Sequence, residues 1–230
     1  MCKLIRFIRD ISSHQMIVLR DDGVSRHLRF KRPGTNAYYF DLVTWPGYLA
    51  MTGDMGTWTF SRVNDMFQFF TSEHFGKRDS FMINPGYWSE KFESGAGRSR
   101  HDAPCMEFSQ EEFDKGLQAW LDAFLEECED DDERETATET IGDLKGEHFR
   151  DGNEAYHAVD AADWPDGVST YDVMEGIGNC QEYTHHYLWA CYAIVWGIER
   201  YNSTKIAVQA MDTFFAFTSV RDAINGGVHA

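Results

Sequence analysis

Between residues 14 and 60 the chain is cut at short intervals by residues that turn a backbone, and this punctuation constrains the fold more than any other feature. "HQMIVLRDDGVSRHLRF", from His14, reads as two short strands about Asp22-Gly23. Asp-Gly closes hairpins because both positions tolerate positive φ. In "YYFDLVTWPGYLAMTGDMGTWTFS", Tyr39, Asp41, Val43 and Trp45 alternate with Phe40, Leu42 and Thr44, the two-residue period of a strand. Pro46-Gly47 predicts a turn, Tyr48–Thr52 a strand, Gly53–Gly56 a second turn and Thr57–Phe60 a third strand. Three β-rich runs joined by turns suggest an antiparallel meander.

The pattern then changes to the helical period. Ser61 is placed to cap a helix over "RVNDMFQFF", where Val63, Met66, Phe67 and Phe70 share a face. Residues 94–106, rich in Gly, Ser and Pro, predict a boundary or mobile loop. Ser109 and Glu112 fit a capping box, after which Phe113, Leu117, Trp120, Leu121, Phe124 and Cys128 line one side of a long helix. The period is lost over 129–155, which predicts a loop or frayed helix, and Ser169 with Asp172 predicts another cap. Residues 183–201 are apolar almost all round, as a buried central helix is. The segment from Lys205 predicts one more helix or a strand–helix pair. The expected class is therefore α+β: an N-terminal antiparallel β-meander packed with a predominantly helical C-terminal region. Residues 1–100 form the β-rich part and 101–230 the acidic helical part, as two domains or one continuous domain.

Charge sorts along the same line. Residues 1–100 carry 14 Lys/Arg against 10 Asp/Glu, whereas 101–230 carry seven against 28. The back half should repel nucleic acid and attract basic surfaces, so direct nucleic-acid binding is not expected even with Arg26, Arg29, Lys31, Arg32 and seven tryptophans present. The densest acidic run is Glu126, Glu127, Glu129, Asp130, Asp131, Asp132, Glu133 and Glu135. As one continuous helix these ten positions would span about 15 Å, or about one charge per 1.9 Å, against about 1.7 Å for duplex DNA. No apolar run reaches the roughly 18 residues of a membrane span, the N-terminal apolar residues are interrupted by Arg6, Arg9 and Asp10, and five cysteines lack paired spacing. A cytoplasmic protein with free thiols is expected.

Chemistry-bearing patterns are sparse. Two E-x-x-H units, Glu154 with His157 and Glu182 with His185, put a carboxylate and an imidazole on one helix face; with His186 and Cys180 they are the metal-ligand candidates. Asp54, Asp65 and His27 are acid/base or metal candidates if they converge near the sheet edge, although Asp54 is equally suited to bonding within its own turn. Cys180 and His185 lie five apart, poor spacing for a Cys–His pair on a helix. Phosphate-cradling, dinucleotide, zinc-protease and nucleophile-elbow patterns are absent, and no cofactor is expected.

One set of motifs is more specific. His27, Arg29 and Phe30, then Pro33-Gly34-Thr35, then "FDLVTWPG" at Phe40–Gly47, then Gly53, Asp54 and Gly56, then Phe60, Arg62 and "DMFQFF" at Asp65–Phe70, together resemble a group of phage and prophage proteins of unassigned function. The resemblance is dense over residues 27–70, weaker at "YWSEKF" and "AIVWGIERY", and implies a phage origin without a catalytic residue. With the charge split, it leads to the expectation of a phage-encoded protein acting in the host cytoplasm. Its acidic run would bind and inhibit a basic, nucleic-acid-binding host protein, such as a defence complex, by nucleic-acid mimicry. The alternatives are a metal-dependent hydrolase of nucleotides or nucleic acid using Asp54, Asp65, Glu182, His185 or His186, and a non-inhibitory accessory or structural phage component.

Overall fold

A computed structural model describes residues 3–71, 82–96 and 105–226, with side chains through Thr218. In chain order the first elements are α1 (Lys3–Ile11), β1 (Gln15–Asp22), β2 (Ser25–Lys31), β3 (Phe40–Trp45), β4 (Tyr48–Gly53), β5 (Gly56–Ser61), α2 (Met66–Phe70), α3 (Pro85–Ser89) and β6 (Phe92–Ala96). There follow β7 (Met106–Phe108), α4 (Gln110–Glu127), α5 (Asp131–Gly146), α6 (Gly152–Ala161), α7 (Thr170–Ile177), β8 (Gln181–Tyr183) and α8 (His185–Gly226). The chain is α+β, an antiparallel sheet followed by a mostly helical region. It divides into two compact units, Met1–Ala103 with His185–Ala230, and Pro104–Thr184.

In the first unit β1 to β6 form one antiparallel sheet in sequence order, the meander that the turn residues predict. The register stacks Leu28 on Leu42, Leu42 on Met51 and Met51 on Trp58, with Phe30 beside Phe40 and Leu49 beside Phe60. All eight are fully or almost fully buried, so the two-residue period delivers one continuous apolar face. At the β4–β5 turn Gly53 has φ +155, and a Cβ there would lie 2.8 Å from Phe40 Cα, so the close strand approach requires glycine.

The N-terminal part of α8 covers this face. Trp189 meets Phe40 and Trp196 meets Phe30 edge-on, at 5.6 and 5.4 Å between ring centroids, and Phe7 of α1 meets Trp189 at 5.2 Å. Gly197 marks the nearest approach: a Cβ there would come within 2.7 Å of Leu42 Cδ1. The predicted central helix is present, but it continues unbroken to Gly226, 42 residues in all, in place of a separate closing element.

Two local expectations differ. The helix near residue 66 begins after Asp65, which accepts the Phe67 N–H at 3.1 Å, not after Ser61. Asp65 is fixed there by a bidentate pair with Arg26, 2.8 and 2.9 Å, and Arg26 also lies 4.5 Å over the Phe67 ring. Residues 94–96 of the expected boundary loop extend β6 along β5, and the rest of that loop up to residue 104 lies outside the described residues.

The second unit opens and closes on one ladder. β7 pairs with β8 through Met106–Tyr183, Glu107–Glu182 and Phe108–Gln181, and the Ser109 N–H donates to Cys180 O at 2.9 Å. Between these strands, Phe113, Leu117 and Leu121 of α4 pack in one core with Ala137, Ile141 and Leu144 of α5, Val159 of α6, and Val173 and Ile177 of α7. Residues 129–155 are thus mostly ordered helix and not a loop. The sparse inward stripe of α5 is enough once α4 supplies its larger side chains.

Candidate functional site

The second unit holds 24 Asp/Glu against four Lys/Arg, a net charge of −20, whereas the first holds 14 against 17. The apolar stripes of α4 to α7 turn inward, so the acids face solvent. Among the eight of the dense run, Glu133 is half-buried and the others are exposed.

The run is not one helix. α4 ends at Glu127, Cys128 is its C-cap, and Asp130 caps α5. The charge spacing expected of a continuous helix is therefore not realised; the acids gather at a corner between two helix ends. One Asp130 oxygen accepts the N–H groups of Asp132 and Glu133 at 3.0 and 3.1 Å. Asp131, Asp132 and Glu133 occupy the first turn of α5, where the helix dipole favours negative charge. Glu126 and Glu127 occupy the last turn of α4, where it disfavours it, and no basic residue belongs to that turn. Arg134, the one cation inside the run, turns back to donate to the Leu125 and Cys128 carbonyls, which are left without helical partners.

The other three cations of the unit are also engaged locally. Lys115 lies 2.8 Å from both Glu111 and Glu112, and these hydrogen bonds hold its ammonium above the usual lysine range. Lys145 donates to Gln118 at 2.8 Å. Arg150 pairs with Glu154 at 3.3 Å, and the Arg150 N–H donates to the same carboxylate. Lys115 and Arg150 thus offset only Glu111, Glu112 and Glu154, and the unit keeps its net charge of −20.

A second acidic strip lies apart from the dense run. Glu139, Asp143 and Glu147 repeat every fourth residue along α5 and C-terminal to it, and with Ala158, Ala161, Ala162 and Asp163 they line a groove of about 520 Å3. Their spacing of four puts carboxylates about 6 Å apart along the helix axis, the signal that marks the strip in sequence.

The expected acid/base candidates do not come together. Asp54 accepts the Tyr38 N–H at 2.9 Å, Asp65 serves Arg26 and the α2 cap, and His27 Nε2 lies 2.8 Å from Asp41. Asp41 is 5% exposed and is also held by Arg29 at 2.9 and 2.8 Å. Burial alone would raise the Asp41 carboxyl, but the hydrogen bonds from Arg29 and His27 outweigh it and the group lies below the usual range. This His27–Asp41–Arg29 cluster belongs to the sheet face opposite the core and follows only from the β2–β3 register.

In the E-x-x-H units, Glu154 is tied to Arg150 and His157 is exposed on α6. Glu182 lies on β8 across from Glu107, while His185 and His186 open α8 with ring centroids 5.7 Å apart. Burial lowers the His185 imidazole and raises the Cys180 thiol, the reverse of an activated nucleophile. Among the described residues no group of three or more His, Cys, Asp or Glu is placed to hold a metal ion, and no helix is long and apolar enough to cross a membrane. Compared with protein-family models, with curated proteins and with solved structures, the chain matches none.

Proposed function

We propose that this chain is a phage-encoded acidic interaction protein whose helical unit binds, and thereby blocks, the basic nucleic-acid-binding surface of a host protein, the carboxylates standing in for phosphates. The observation that carries this reading is the charge of the second unit: a net −20 on a self-contained fold whose four cations are all engaged locally. Rigid presentation is what separates a mimic from an acidic tail, since a floppy acidic chain is screened within roughly 8–10 Å at ordinary salt. Asp130 and Arg134 supply that rigidity at the corner between α4 and α5. The phage origin rests on the motif resemblance over residues 27–70.

The test is capture of host proteins on the immobilised chain, with elution by rising salt. A basic nucleic-acid-binding protein retained at low salt and displaced by added DNA or RNA supports the reading. A chain carrying Gln or Asn at all eight acids of the run should keep its circular dichroism spectrum and lose the partner. Equal retention by that variant sinks the assignment to the run.

A further inference from the structure

We propose that the C-terminal half of α8 is an interface with a second copy of this chain, two such arms packing antiparallel about a two-fold axis. The helix is buried only as far as Tyr201; Asn202 through Phe217 are all exposed. Its remaining 25 residues project about 37 Å at the usual rise.

Six large apolar side chains on this arm, Ile206, Val208, Met211, Phe214, Phe215 and Phe217, are between 52% and 70% exposed. At 3.6 residues per turn they cover about 200° of the helix surface, and Asn202, Lys205, Gln209, Asp212 and Thr213 form the opposite polar stripe. That arc is wider than the seam of two paired helices, so an arm needs a second contact besides a partner arm.

The root of the arm provides one. Met16 and Val18 of β1 with Tyr201, Thr204 and Val208 line a groove of about 210 Å3. Strand β1 is an edge of the sheet, with Ile17, Val18 and Leu19 exposed, and natural folds rarely leave such an edge bare. Asp21 fixes the root by accepting from Tyr201 at 2.6 Å and pairing with Lys205 at 3.1 Å. Met211 and Phe215 share the helix face of Thr204 and Val208, so arms crossing antiparallel lay these two side chains of one copy on the root groove of the other. That contact occurs twice, with the arm–arm seam on the axis, as an isologous interface requires.

The occupant is a second copy for three reasons. The arm carries two basic and two acidic residues, Lys205 and Arg221 against Asp212 and Asp222, so it offers no net charge to select a charged partner. It is not apolar enough to cross a membrane. The six side chains expose on the order of 500 Å2 per chain, so about 1,000 Å2 is on offer to a pair whose seam and root grooves together cover both arms, the lower bound for a specific interface.

Sedimentation equilibrium of the full chain at micromolar concentration tests this, with twice 26.5 kDa expected. The double substitution Met211→Glu with Phe215→Glu should weaken the dimer by at least about 100-fold while leaving the helical signal and thermal midpoint in place. Mixing a Val18→Cys chain with a Phe215→Cys chain should give the mixed disulfide in preference to either self-pair. A wild-type monomer, a dimer indifferent to the double substitution, or preferred Phe215→Cys self-pairing would each overturn the proposal. So would a monomer whose arm adsorbs to anionic phospholipid vesicles.

Discussion

Replacing Glu126 and Glu127 by Gln should make the protein more stable while weakening its binding. Both residues lie in the last turn of α4 with no basic residue in that turn, against carbonyls that carry negative partial charge. Each acid there costs about 0.3–1 kcal/mol at low ionic strength. Gln matches Glu in helix propensity, so the substitution isolates charge. The pair should gain about 1 kcal/mol, which moves the midpoint of an 81-residue unit by about 4–8 °C. Thermal denaturation followed by circular dichroism in low salt reads the gain. In 1 M salt, where the screening length is about 3 Å, it should largely vanish. Asp130→Ala gives the opposite sign, losing the cap on Asp132 and Glu133 at a cost of about 0.5–2 kcal/mol. A Glu126/Glu127 variant that melts lower, or a gain indifferent to salt, would refute the reasoning that these acids are held where they are despite their cost.

Other expectations concern the frame. Gly197→Val should lower the urea midpoint by an amount equivalent to about 1–3 kcal/mol, because its side chain enters the space held by Leu42 and Phe30. The folded Asp41 carboxyl lies below its unfolded value of 3.8, so its contribution is present above that value and lost as pH falls through the folded one. Asp41→Asn should therefore flatten the acid limb of stability below about pH 4 in a titration followed by tryptophan fluorescence. Arg134→Ala should leave the Leu125 and Cys128 carbonyls uncapped at about 1.5–3 kcal/mol, seen as faster amide exchange around the α4–α5 corner.

The legible parts of the fold are those set by local chemistry. Asp22-Gly23, Pro46-Gly47 and the Gly53–Gly56 turn place five strands of the sheet without reference to distant residues, and the alternation about Leu42 marks its buried face. Ser109 and Ser169 cap helices as their spacing suggests. The return of α8 to the sheet depends on Gly197, Trp189 and Trp196 meeting side chains more than 140 residues earlier, and no local pattern carries that. α5 escapes because three buried apolar residues in sixteen make a weak period among acids, threonines, glycines and two cations. Asp65 wins over Ser61 as a cap because Arg26, distant in sequence, fixes its carboxylate. The His27–Asp41–Arg29 cluster has the same origin: all three residues are conspicuous in sequence, but only the strand register joins them. The acidic character of the site is read directly from composition. The corner that breaks the run, the local engagement of the cations and the Glu139–Asp143–Glu147 strip are products of folding.

The central claim is that the acidic unit occupies the place of nucleic acid on a basic protein. Its most direct measurement is fluorescence anisotropy of a labelled oligonucleotide bound to the captured host protein, titrated with this chain. Complete release of the oligonucleotide, by the wild-type chain and not by one neutralised at the eight acids from Glu126 to Glu135, is the predicted result. A ternary complex, with the oligonucleotide still bound at saturating chain, would contradict it.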